Sequence, residues 1–224
     1  MSVCIPDTSA LMAIAQKETC HNSVLQEISN ASSRILLSLV YEEFRAVLAQ
    51  KFVIIQQACG KAMKKQLSED ELTELIKQNF GYLDPKQMRK LLELTKRFAH
   101  RSRCSATAHS KVMSELLGLI LLEPINNFEE LRKKLKFQDR DDDWSESLHS
   151  LSSTFGSEFN ALSETDKKII SQAFSVKRAW SVKACIQLVT MDKKWKFIQS
   201  GIIKSFTVNI FERKKGVDVC VRNA

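Results

Sequence analysis

Four acidic residues, Asp7, Glu43, Asp166 and Asp192, stand where a fold could gather them for chemistry. Asp7 closes the short β-prone run Ser2-Val3-Cys4-Ile5-Pro6, and Asp192 follows Cys185-Ile186-Gln187-Leu188-Val189-Thr190. Ligands of parallel α/β sheets bind just beyond such strand ends. Glu43 falls in the first turns of a helical pattern, and Asp166 opens the helix that precedes the Cys185 run. Carboxylates brought into one crevice repel each other unless cations sit among them. Mg²⁺ or Mn²⁺ suits such a set, because hard divalent ions prefer oxygen ligands and can activate water for phosphodiester hydrolysis. Each acid also has a plainer reading. Asp7 can be a turn or cap residue, Asp166 can serve Ser163 as a capping partner, and Glu43 can be a surface helical acid.

The elements that would position these acids can be read from apolar spacing. A strand over 2–6 leads into the helix formers that begin at Ala10, and a second helix is expected over 22–31. Arg34-Ile35-Leu36-Leu37-Ser38 reads as a buried strand. Val40, Phe44, Val47, Leu48 and Phe52 recur at helical spacing in a helix running to about residue 65. From about 60 to 159 the chain reads as helical segments separated by Asp84-Pro85, Pro124 and Ser/Asp-rich stretches, hence as an all-helical insertion. The acidic run from Asp139 to Asp143 is expected to be a solvated loop closing it. A helix then begins at Ser163, with Ile169, Ile170, Ala173 and Phe174 on its apolar face. Strands over 185–190 and 206–211 follow, with a short helix over 193–200 between them. Strands separated by helices imply right-handed crossovers and a mainly parallel sheet. The expected fold is α/β, in one domain of 1–224, with core segments 1–59 and 160–224.

Composition narrows the partners. A formal charge of +8 over 224 residues favours an acidic partner, nucleic acid or an anionic membrane surface. The run from Lys96 to Arg103 holds Lys96, Arg97, Arg101 and Arg103, which could follow an RNA backbone. The bland alternative is a solvated helix face. The chain opens without a basic leader and long apolar run, and the stretch from Leu116 to Leu122 is too short to span a membrane. A cytoplasmic protein without a membrane span is expected. Six cysteines without a CxxC pair point to reduced, mostly buried thiols. No glycine-rich turn follows a strand, which excludes a P-loop or dinucleotide site. Ser9 stands where a haloacid-dehalogenase-type phosphatase would need a second aspartate.

Four segments in order resemble the motifs of PIN domains. Val3-Cys4-Ile5-Pro6-Asp7-Thr8-Ser9 resembles the opening strand with its terminal aspartate. Ser38-Leu39-Val40-Tyr41-Glu42-Glu43-Phe44 is similar to the second motif, with Phe44 favouring Glu43 over Glu42 as its acid. Ser163-Glu164-Thr165-Asp166 and Leu188-Val189-Thr190-Met191-Asp192 resemble the third and fourth. The resemblance implies a PIN-like sheet in which Asp7, Glu43, Asp166 and Asp192 hold Mg²⁺ or Mn²⁺ for RNA hydrolysis, as in VapC-like toxins and ribosomal-RNA processing enzymes. It makes Thr8, Ser9 and Thr190 supporting polar groups. It leaves open an antitoxin or other regulatory protein partner and a homodimer. The long interval between Glu43 and Asp166 departs from compact members. Two rivals stand beside an endoribonuclease: a PIN-like module that binds RNA or protein without cutting, and a DNA or flap nuclease.

Overall fold

The run Val3-Cys4-Ile5 is wholly buried, as a strand must be when helices cover both faces of a parallel sheet. The computed structural model describes residues 2–18, 20–100, 106–179, 185–195 and 206–210. Strand β1 (Ser2–Pro6) leads through Asp7 into α1 (Thr8–Ala15), and α2 (His21–Asn30) returns the chain to β2 (Ser33–Leu37). The long α3 (Ser38–Met63) follows, then α4 (Glu69–Phe80), α5 (Pro85–His100) and α6 (Ala106–Leu117). A π-helical segment over Gly118–Leu122 continues into α7 (Glu123–Leu135). Pro124 accounts for that widened turn: it lacks the N–H that would bond the carbonyl four residues back, and its ring crowds that carbonyl. The chain ends its described course with β3 (Gln138–Arg140), α8 (Ser145–Phe155), α9 (Ser157–Asn160), α10 (Glu164–Ala179), β4 (Cys185–Thr190) and β5 (Phe206–Ile210).

The strands form one sheet in the order β3-β2-β1-β4-β5, and every pairing is parallel. The centre is tightly registered, with Val3 opposite Ile186, Ile5 opposite Leu188, and Leu188 opposite Val208. β3 is a three-residue addition to the β2 edge. From β1 the chain builds outward to β2 and β3, then crosses to the other side of β1 to build β4 and β5. The switch point, where adjoining connections leave on opposite faces, therefore lies between β1 and β4. Such a point opens a crevice at the carboxyl ends of its two strands.

Helices cover the sheet and add a second core. Val40, Phe44 and Leu48 of α3 pack with Ile5, Ile35, Leu37 and Leu188 in the sheet's core. Farther along the same helix, Ile55, Ala58 and Cys59 join Leu72, Ile76, Leu91, Leu116 and Ile120 in a separate cluster. One helix thus serves both cores.

The interval expected as an all-helical insertion is of mixed character. Residues 55–120 supply the second cluster, but Phe128, Leu151, Phe155 and Phe159 pack into the sheet's core. Asp139 and Arg140, expected as part of an acidic loop over 139–143, instead pair with β2 together with Gln138. The next residues are tied down as well: Ser38 Oγ donates to Asp141 at 2.5 Å, and Arg140 pairs with Asp142 at 2.6 Å. Sheet pairing outweighs the local polarity of that run because the edge of β2 offers unpaired backbone groups.

Most expected bounds agree with the observed ones within two residues, including β1, α2, β2, α3 and β4. After Asp192 a 3₁₀ turn covers residues 193–195, while the remainder of the short helix expected over 193–200 lies outside the described residues. Cys4, Cys20 and Cys59 are free and buried, and Cys185 is free and partly covered; Cys104 and Cys220 lie outside the described residues. Burial pushes the Cys4 thiol far above its ordinary value, and raises that of Cys59 to about 12. Neither is a reactive thiolate at neutral pH.

Candidate functional site: an acid-lined cleft at the switch point

Asp7, Glu43, Asp166 and Asp192 line a single cleft of about 240 Å³. Asp7 and Asp192 reach it from the carboxyl ends of β1 and β4, Glu43 from the second turn of α3, and Asp166 from the first turn of α10. Glu42 instead lines a groove beside Tyr41 and Arg45, so neighbouring acids of α3 face different surfaces.

Asp7 is the most constrained of the four, with only 5% of its surface exposed. It is the N-cap of α1, and its Oδ1 accepts from the Ala10 backbone N–H and from Ser9 Oγ, both at 2.8 Å. Its Oδ2 accepts from Thr190 Oγ1 at 2.6 Å. Thr190 Oγ1 in turn accepts from the Asp192 N–H at 2.9 Å, and Ser9 Oγ accepts from the Met191 N–H at 2.7 Å. These bonds stitch the exits of β1 and β4 together. Burial raises the Asp7 carboxyl to about pKa 6. The bonds from Thr190, Ala10 and Ser9 oppose that rise, and the charge of Asp166 adds to it.

Glu43 is half-buried, and Thr8 Oγ1, which also donates to Val40 O at 3.4 Å, donates to its Oε2. Its carboxyl is raised by burial, lowered by the Thr8 bond and raised again by Asp166. Asp7 and Glu43 are therefore each near enough to feel the charge of Asp166. Asp166 also caps its own helix. Its N–H donates to Ser163 Oγ at 3.1 Å, while Ser163 Oγ donates to Asp166 Oδ2 at 2.7 Å. Asp192 Oδ1 accepts from the Lys194 N–H at 2.9 Å, which starts the turn after β4. The capping and turn readings of Asp7, Asp166 and Asp192 thus hold together with a common cleft.

Among the described residues, no three His, Cys, Asp or Glu side chains approach closely enough to enclose a metal ion. The donor set is nevertheless all oxygen, and Mg²⁺ commonly keeps several waters while using one or two carboxylates. The residues fit a hydrated hard cation rather than a closed cage.

Several cleft residues escaped the sequence reading. Lys51 lies eight positions after Glu43, and Val47 stands midway between them, so the three share one stripe of α3. That spacing was available as a signal. Tyr82 comes from the turn between α4 and α5, and nothing local to it points to the acids. The buried Trp195, three residues after Asp192, also lines the cleft.

The basic helix lies elsewhere. Lys96 pairs with Glu69 at 2.6 Å and Arg97 with Glu115 at 3.6 Å, and neither lines the cleft. Arg101 and Arg103 are outside the described residues. No described helix is long and apolar enough to cross a membrane. No family model matches the chain, and no curated protein or solved structure matches it at a significant level.

Proposed function

We propose that the chain is a PIN-like, metal-dependent endoribonuclease whose Asp7, Glu43, Asp166 and Asp192 form the metal-site acids. The observation that carries this reading is the meeting of four carboxylates, as far apart in sequence as residues 7 and 192, in one cleft at the sheet's switch point. A bound Mg²⁺ or Mn²⁺ would activate a water and stabilise charge on the phosphodiester oxygens during hydrolysis.

The chain's own groups set the geometry. Thr190 and Ser9 fix the Asp7 carboxylate between β1 and β4, and Thr8 turns Glu43 toward it. Asp166 is presented by a capped helix start, and Asp192 by a hydrogen-bonded turn. Holding the acids in advance lowers the reorganisation needed when a phosphate arrives.

The test is a panel of labelled RNA and DNA substrates with Mg²⁺, Mn²⁺ or excess chelator, run with Asp7→Asn and Asp192→Asn beside the parent. RNA cleavage that needs the ion and is lost in both variants is expected. Parental cleavage by Asp192→Asn, or cleavage in chelator, would overturn the assignment. Cleavage confined to DNA would place the chain with the DNA or flap nucleases.

A second reading has an observation of its own. No three acids close around an ion among the described residues, and each of the four has a hydrogen-bonded structural role. A PIN-like module that binds RNA or protein without cutting meets both facts. RNA binding without cleavage under either metal would select it.

A further inference from the structure

A phosphodiester entering a cleft lined by four carboxylates brings more negative charge, so its backbone requires a fixed cation within reach. Lys51 is the single cation among the described residues lining that cleft. It is also held in place. Its Nζ donates to Gln16 Oε1 at 3.0 Å and lies 4.2 Å from the centroid of the Tyr82 ring and 5.5 Å from that of Phe80. Cation–π contacts of this kind orient an ammonium.

Tyr82 is anchored in turn. Its neighbour Leu83 forms an antiparallel bridge with Glu18, just past α1, so the α4–α5 turn is fastened to the rim of the sheet domain. Asn127 Nδ2 donates to Ala15 O at 3.2 Å and adds a second tie between α7 and α1. The wall built by the insertion is thus part of the cleft.

We propose that Lys51, positioned by Tyr82, binds a backbone phosphate adjacent to the scissile one. Eight residues of α-helix place Lys51 about 12 Å along the α3 axis from Glu43. The two side chains close part of that backbone offset, and the remainder suits a phosphate next to the attacked one on the same strand. Such a contact is made equally in the bound substrate and in the transition state, so its loss raises KM and spares kcat. The inference rests on the nuclease reading above.

The test uses the full chain and a fluorescently labelled single-stranded RNA. Cleavage in Mn²⁺ gives KM and kcat, and anisotropy across a salt series in Ca²⁺ gives binding. For Lys51→Met, KM should rise about tenfold at nearly constant kcat, as expected for losing one charge-assisted hydrogen bond. The slope of log affinity against log salt should flatten by about 0.7. Lys51→Arg should restore both. Tyr82→Leu should weaken binding in the parent but not in the Lys51→Met background. Lys51→Gln keeps a polar end for Gln16 without the charge, and repeats the comparison should Lys51→Met fail to fold. Parental KM and salt slope in the charge-removing variants, with the parent cutting normally, would overturn the Lys51 assignment and leave the nuclease reading standing. A parent that neither binds nor cuts RNA would overturn both.

Discussion

Asp7 is both the cap of α1 and a member of the acid cleft, and its pH dependence separates those two roles. Its carboxyl is raised from 3.8 to about 6, with burial as the largest cause. For an acid with a raised folded-state value, protonation favours the folded form. That stabilisation is complete below about pH 4 and is lost as pH rises through about 6. The gap between the two values corresponds to at most about 3 kcal/mol. Asparagine can also cap a helix, and its lost or gained hydrogen bonds contribute similarly at either pH. Asp7→Asn should therefore gain on the parent by about 1–3 kcal/mol between about pH 4 and pH 7.5 in the metal-free protein. Urea unfolding of both proteins at the two pH values measures this, and a difference that stays constant would contradict a raised Asp7 carboxyl. Thr190→Val removes the 2.6 Å hydrogen bond to Asp7 and leaves the Asp192 N–H without its acceptor. A loss of about 1–3 kcal/mol in stability is expected from those two groups, one buried and one partly buried, read by the same unfolding measurement.

At the scale of elements, Arg34 shows how a basic residue can be structural. From β2 its guanidinium donates to the carbonyls of Ile28, Ser29 and Ala31 at the end of α2, and to Leu135 O at the end of α7. It therefore satisfies two helix ends at once, where carbonyls lack intrahelical partners. Arg34→Met should cost about 2–3 kcal/mol in urea unfolding, and Arg34→Lys should recover only part of it because an ammonium lacks the planar fork. Lys96 and Arg97 differ. Both are substantially exposed ion pairs of the insertion, which a phosphate can displace at little cost. If the basic helix carries RNA, Lys96→Ala with Arg97→Ala should reduce the salt slope by about 1.4, two contacts at about 0.7 each. An unchanged slope in filter binding would assign the pair to insertion packing alone.

For the whole molecule, the proposed metal site would couple stability to divalent ions. A ligand that binds only the folded state adds about 2.7 kcal/mol at a free concentration about a hundred times its Kd. Mg²⁺ should stabilise the parent on that scale and Asp192→Asn less, as thermal melts with and without the ion would show. An equal Mg²⁺ response would remove Asp192 from the proposed metal site. The two cores should respond together, because α3 contributes Phe44 to one and Ile55 to the other. The +8 charge has the sign that attracts a polyanion over long range.

The sequence by itself determined the parallel α/β order, because short apolar runs such as Val3-Cys4-Ile5 and Leu188-Val189, separated by helical patterns, suit strands covered on both faces. It also determined the helix starts at Asp7 and Ser163, since capping depends on residues two or three positions apart. Tertiary structure decided everything that depended on distance across the chain. It turned Glu43 rather than Glu42 into the acid cleft, because α3 is seated by Val40, Phe44 and Leu48 and its rotation follows from that packing. It made the polar Gln138–Arg140 run a strand, because the open β2 edge could supply backbone partners that local sequence does not encode. It gathered Lys51 and Tyr82 beside the acids through the Gln16 bond, which joins α3 to the end of α1, and through the Glu18–Leu83 bridge, which joins the insertion to the residues after α1.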